Sequence, residues 1–294
     1  MSDFFVTARR SMIFMAALIL LGMPGAARAE ATPVRIFVSI LPQAYFVERI
    51  GTDKVDVNVL VGPGQSPATY EPTPKQMANL GVSRVYFRIG TPFETGFIEK
   101  IWRNFKKLEI VDTRKGVPLL YFRHHGEAEE PDPHIWLDPK RVKIQAATIC
   151  RALCAIDPAD SEHYSNNLRA FQEDLDRIDA EIATVLEPYR GQKIYVFHPA
   201  FGYFCDSYGL VQEAVEIEGK EPTPRQLSGL ISRARQEGVR IIFVQPQFSR
   251  KGAETIAREI GGAVVPLDPL SGDYLQNLKE MAALIRTSLN RQRE

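Results

Sequence analysis

Cysteine is scarce in this chain: three among 294 residues, Cys150, Cys154 and Cys205. That count excludes a disulfide-built scaffold and a four-cysteine zinc cage. Cys150 and Cys154 stand four apart in a helix-patterned stretch, a poor disulfide spacing, and read as small buried hydrophobes; a pairing that involves Cys205 stays open. Net charge is also lacking, with 36 basic against 36 acidic residues. A balanced chain offers no electrostatic footprint for nucleic acid or an anionic membrane. Beyond residue 23 no apolar run is long enough to span a bilayer. The chain has no His-Glu-x-x-His helix, no Gly-x-Ser-x-Gly elbow and no phosphate loop, which removes the commonest hydrolase and nucleotidase signatures. Histidine is rare too, at five residues, so the places it occupies carry information.

The first 29 residues read as an export signal and not as fold. Arg9 and Arg10 precede an apolar stretch from Met12 to Met23, and Ala27-Arg28-Ala29 offers a small-x-small cleavage site. The mature chain is expected to begin near Glu30. No cysteine lies at that junction, which argues against a lipid anchor, and an ordinary signal is preferred over twin-arginine export. Roughly 265 residues then remain, room for two domains of ordinary size. Three arginines and one aspartate leave with the signal, so the mature net charge is −2.

The mature chain alternates strands and helices. Residues 34–40, 55–61 and 85–89 pattern as strands, with a helix at 42–50 between the first two. Thr73 and Pro74 form an N-cap followed by a first-turn proline, and further alternation runs to about residue 122. Residues 123–131 are polar and irregular and read as a surface loop. From Ser161 to about Leu186, apolar residues recur every three or four positions (Tyr164, Leu168, Phe171, Leu175, Ile178, Ile182, Val185). A helix of that length reaches ~39 Å, enough to run beside two lobes. Strands are expected again at 193–197, 241–244 and 263–267, and a closing helix at 273–290. Glu71-Pro72-Thr73-Pro74-Lys75-Gln76-Met77 reappears 150 positions later as Glu221-Pro222-Thr223-Pro224-Arg225-Gln226-Leu227, which suggests two lobes of related design. The division is a first lobe over 30–157, a long linking helix over 158–189 and a second lobe over 190–294.

Three short segments set a metal-capable side chain beside proline: Asp132-Pro133-His134-Ile135-Trp136-Leu137-Asp138-Pro139, Phe197-His198-Pro199 and Leu267-Asp268-Pro269. Proline stiffens the local backbone. His198 and Asp268 both follow expected strands, where a parallel α/β sheet places its ligand crevice. Two imidazoles and a carboxylate suit a divalent transition metal such as zinc. Without the other two, His134 reads equally well as a hydrogen-bonding residue of a structural turn. His163 reads as a surface residue of the long helix, and Asp138, Glu216 and Glu218 as supporting or solvated carboxylates.

These motifs, with Tyr70-Glu71-Pro72-Thr73-Pro74 and Phe243-Val244-Gln245-Pro246-Gln247-Phe248-Ser249, give the chain its resemblance to the metal-binding solute receptors of ABC importers (cluster A-I, the zinc and manganese type). The similarity spans the mature chain. It implies an α/β fold of two lobes, each with a parallel sheet flanked by helices, joined by one long rigid interdomain helix. It further implies a monomeric periplasmic receptor that holds zinc (or manganese or ferrous iron) between the lobes through His134, His198 and Asp268. Delivery to an importer permease completes the implied role, with no enzymatic step.

Three departures from the family pattern stand out. Ala68 occupies the place of a customary ligand histidine two residues before Tyr70, and only His124-His125-Gly126-Glu127 remains of a His-rich acidic loop. His124 or His125 is the first candidate for the missing ligand and Glu71 a weaker one; two solvated loop histidines are an equal alternative. Gln245 stands where many relatives carry glutamate. A receptor of the same fold with weakened or lost metal binding, or an adhesin-like surface protein, is the alternative function. A metallohydrolase is more remote, since no glutamate is placed as its general base.

Overall fold

The structure is a computed structural model that describes residues 32–122, 130–216, 223–248 and 250–291. The expected signal, His124 and His125, Glu218, and the first two residues of the second Glu-Pro-Thr-Pro copy lie outside the described residues.

The first lobe is built from β1 (Val34–Val38), α1 (Leu41–Gly51), β2 (Val55–Val59), α2 (Pro74–Gly81), β3 (Val85–Arg88), α3 (Glu94–Asn104) and β4 (Glu109–Asp112). Its sheet runs β2-β1-β3-β4, and every pairing is parallel. Two helices follow, α4 (Pro139–Ile156) and the 26-residue α5 (Ser161–Leu186). The second lobe contains β5 (Lys193–Val196), α6 (Gly202–Tyr208), β6 (Val211–Ala214), α7 (Pro224–Gln236), β7 (Ile241–Val244), α8 (Arg250–Glu259), β8 (Ala263–Pro266) and α9 (Tyr274–Arg291). Its sheet runs β6-β5-β7-β8, again all parallel. Each sheet therefore has the order second, first, third, fourth. This bears out the two-lobe reading of the sequence repeat.

The repeat has a local physical cause. In α2 the Thr73 hydroxyl accepts from the Gln76 backbone N–H, and the Gln76 side chain returns to the Thr73 backbone N–H; Thr223 and Gln226 do the same in α7. Each box satisfies two backbone donors that a helix start would otherwise leave open, and Pro74 and Pro224 occupy a position that needs no N–H. The central strands β3 and β7 carry the runs Val85-Tyr86-Phe87 and Ile241-Ile242-Phe243-Val244, all buried, as expected of strands covered on both faces.

The long helix α5 buries Tyr164, Phe171, Leu175, Ile178, Ile182 and Leu186 along one stripe. It packs against α1, α4 and α9. Phe46 of α1 meets Tyr274 of α9 edge to face at 4.8 Å between ring centroids, so the C-terminal helix returns to the first lobe. Each such fully buried ring contributes roughly 1.5–3 kcal/mol. Polar pins join the lobes as well. Trp136 Nε1 donates to the Pro269 carbonyl at 2.7 Å, and the Tyr274 hydroxyl donates to the Trp136 carbonyl at 2.7 Å. The Tyr203 hydroxyl donates to the Asp132 carbonyl at 2.8 Å and accepts from Leu120 N–H at 2.9 Å.

Candidate metal centre

The Asp132–Asp138 loop is stiff for reasons visible in its hydrogen bonds. Asp132 Oδ1 accepts from the His134 backbone N–H at 2.9 Å and faces its ring Nδ1 at 2.7 Å. One carboxylate therefore fixes both backbone and ring two residues on, in the manner of an Asx turn. A carboxylate accepts only, so Nδ1 carries the proton and Nε2 keeps the free lone pair. Gly202 leaves room for this arrangement: a Cβ there would stand 2.7 Å from Asp132 Oδ2. Asp138, read from sequence as a supporting or solvated carboxylate, is instead the buried N-cap of α4. It accepts from Lys140 N–H at 2.9 Å and pairs with Arg141.

His198 leaves the C-terminal end of β5, as expected. Its ring Nδ1 is hydrogen-bonded to the Glu216 carboxylate, which leaves Nε2 as the free nitrogen here too. Phe248 stacks on the ring at 4.8 Å. Burial pushes the His198 pKa below its ordinary value; the Glu216 contact opposes the shift without overcoming it. Gln245 is buried and pairs with His198 through both ends of its amide: Oε1 accepts from the backbone N–H at 3.2 Å and Nε2 donates to the carbonyl at 2.7 Å. A glutamate at this position could not make both bonds while ionised.

His134 and His198 meet at 5.3 Å between ring centroids. Both line a cavity of about 710 Å³ between the lobes, and Ala68 lies on its lining. Asp268 is set back from them. Its Oδ1 accepts from Leu270 N–H at 2.9 Å and from Gln247 Nε2 at 3.0 Å. Gln247, not Asp268, reaches the cavity. Glu71 is exposed before α2 and away from the lining. Among the described residues no group of three His, Cys, Asp or Glu side chains converges as a metal cage.

Sequence reasoning did not find the first lobe's polar wall. Glu94 is buried and collects five donors, from the hydroxyls of Ser39 and Tyr86, from Arg88 Nε and from the backbone N–H groups of Ile89 and Gly90. Asp112 takes Arg114 in a two-pronged contact at 3.0 and 2.7 Å; that partner holds the Asp112 carboxyl below its usual range against the opposing effect of burial. Arg88 and Arg114 both line the cavity. Their spacing along the sequence has no motif to announce it. The only available signal was position, at or just beyond the C-terminal ends of β3 and β4.

The family model for the zinc-uptake complex component A, periplasmic (ZnuA), matches residues 36–288. The manganese ABC transporter substrate-binding lipoprotein PsaA of Streptococcus mitis is 30% identical over 261 residues, covering 84% of each chain. A crystal structure of ZnuA superposes with a TM-score of 0.83 at 40% identity, covering 87% of this chain and 99% of that one. A ZnuA deletion mutant with zinc bound gives 0.82 at 41% identity, covering 87% and 98%. The chain belongs to the ZnuA family of periplasmic metal-binding solute receptors of ABC importers, and so it is a transport receptor and not an enzyme.

Proposed function

We propose that this receptor holds one divalent transition-metal ion at His134 Nε2 and His198 Nε2 and passes it to an ABC permease. We further propose that it holds the ion less tightly than a receptor with a full set of protein ligands. The observation that carries this reading is the pair of imidazoles facing one interlobe cavity, each with Nδ1 tied to a carboxylate. Zinc is preferred over manganese or ferrous iron on the Irving–Williams order and on ligand softness. The weakness follows from Ala68 and from the set-back of Asp268. A structural zinc site takes four ligands, and this reading supplies two, His134 and His198. Asp268 would serve as a third after Gln247 releases it; His124, His125 and Glu71 are the candidates for a fourth. On the division we propose for this chain, 30–157, 158–189 and 190–294, the site lies between the first and last segments.

The test is zinc stoichiometry on residues 30–294 after chelator stripping, by equilibrium dialysis and then after desalting. One zinc per chain is expected at equilibrium, with partial loss on desalting. His134→Ala and His198→Ala remove it, and Ala68→His makes it survive desalting. A His124→Ala/His125→Ala double variant reports on the loop. No zinc at equilibrium refutes the proposal.

A further inference from the structure

The charge of this chain balances overall but not locally. The stretch Lys100-Ile101-Trp102-Arg103-Asn104-Phe105-Lys106-Lys107 carries four basic residues and no acid. It covers the end of α3 and the turn into β4. Arg84, exposed just before β3, lies at the same end of the sheet, because its carbonyl accepts from Glu109 N–H at 3.1 Å. Against these cations stand Glu99, which pairs with Arg103, and exposed Glu109. Arg84, Lys100, Lys106 and Lys107 form no ion pair among the described residues. The two most exposed large apolar side chains among the described residues lie here as well, Val82 at 65% and Trp102 at 64%. Gly81 sets Val82 beside α3: a Cβ on that glycine would stand 2.9 Å from the Phe105 ring. The Trp102 indole is held outside the core by Lys106, whose Nζ lies 4.5 Å from the ring centroid and donates to the Trp102 carbonyl at 3.2 Å. An exposed apolar side chain by itself means little. An indole set among uncompensated cations has the composition of an interfacial membrane contact, with the ring at headgroup level and the cations on lipid phosphates.

We infer that this end of the first lobe docks on an anionic phospholipid surface. The cations supply the attraction, at about fivefold in partition for each one near the surface. Trp102 supplies the apolar part, and its Nε1–H finds lipid oxygens to donate to. One indole and a few cations hold a protein reversibly, not as an anchor. The family serves membrane importers, so a bilayer is the anionic surface nearest at hand. The geometry adds a direction. At the start of α3, Pro92 and Thr95 line the cavity, and the helix runs ~15 Å from there to the patch. A receptor bound by the patch keeps its cavity turned away from the bilayer. The contact therefore works as a tether that concentrates the receptor beside its importer and leaves the cavity open for capture. It does not depend on which ligands hold the metal.

The probes are vesicles of phosphatidylglycerol mixed with phosphatidylcholine, and vesicles of phosphatidylcholine alone. Residues 30–294 are co-sedimented with each at low salt. Binding is expected to the anionic vesicles only, and to fall as salt rises past about 0.1 M, where the Debye length is ~10 Å. The chain has two tryptophans and Trp136 is fully buried, so a blue shift of emission on binding reports Trp102. Lys100→Gln/Lys106→Gln/Lys107→Gln, with an unchanged circular dichroism spectrum, should lower the partition about a hundredfold, at about fivefold per cation. Lys140→Gln/Lys279→Gln removes two exposed cations outside the patch and should leave it nearly unchanged. No binding to the anionic vesicles overturns the inference, as does binding that the triple variant leaves intact or that both variants lower equally per charge. A dimer that light scattering detects and the triple variant dissolves, without vesicle binding, gives the patch to a second copy and also overturns it. Zinc stoichiometry should be the same in wild type and triple variant, so a failure here leaves the metal reading standing.

Discussion

Replacing Tyr203 by phenylalanine removes a single oxygen and unties two backbone groups at once. The ring is fully buried, and its hydroxyl accepts from Leu120 N–H at 2.9 Å while donating to the Asp132 carbonyl at 2.8 Å. Burial raises its pKa to about 12, so the phenol keeps its donor proton throughout the working pH range. Each buried group left without a partner costs roughly 1–3 kcal/mol. Two of them, partly relaxed, give about 3 kcal/mol. A chain of this size loses ~2–4 °C of melting temperature per kcal/mol, so the expected fall is ~6–12 °C. Tyr208 supplies the comparison, because its hydroxyl makes one 3.2 Å bond to Asp179. Tyr208→Phe should cost about a third as much on the same scale. Scanning calorimetry of both variants decides the matter. If Tyr203→Phe melts no lower than Tyr208→Phe, the claim that this hydroxyl pins the His134 loop to the second lobe is wrong.

Glu216→Gln is expected to lower zinc affinity by ~10–100-fold, because the carboxylate fixes the tautomer of His198. Competition against a chromophoric chelator measures it, and an unchanged affinity counts against the assignment. Stability of the metal-free protein should decline on acidification from about pH 6.5, where the unfolded chain protonates His198 and the folded chain, with a lowered pKa, does not. Urea melts of wild type and His198→Gln across pH 7.5 to 5 test this; a wild-type profile no steeper than the variant's contradicts it. Burial pushes the Cys205 thiol well up and the Cys150 thiol to about 11, and the Cys150 and Cys154 sulfurs are 3.9 Å apart, unbonded. A thiol reagent at pH 8 should therefore label half-buried Cys154 first and all three only after unfolding, as read by intact mass. Immediate labelling of Cys205 in the folded protein is the opposing result.

The fold was legible where the sequence has a strong period. The stripe from Tyr164 to Val185 marked α5, because a helix that buries one face repeats every three or four positions. The strands at β1, β2, β3, β5, β7 and β8 were readable from their apolar and alternating runs. β6 was not: Val211-Gln212-Glu213-Ala214 is a four-residue edge strand, exposed or half-buried throughout, and pairs with β5 alone. His134 and His198 were legible because proline flanks them and few histidines compete. Their carboxylate partners differ in this respect. Asp132 sits two residues from His134 and could have been read as its turn acceptor, whereas Glu216 reaches His198 from the far end of β6 and only the folded chain reveals it. Arg88 and Arg114 were invisible for the same reason. Their meeting on one wall is a product of sheet order, not of spacing.

The pins between the lobes have a consequence for signalling. With Trp136, Tyr203 and Tyr274 all hydrogen-bonded across the boundary and Tyr274 seated against Phe46, a wide hinge motion would have to break several buried bonds at once. A permease partner could not then sense cargo by the angle between halves, as one senses a jaw closing. The message that the receptor is full would have to be written in small print, in the few residues at the cavity mouth, and a mutation there could mislead the transporter without altering affinity for the cargo at all.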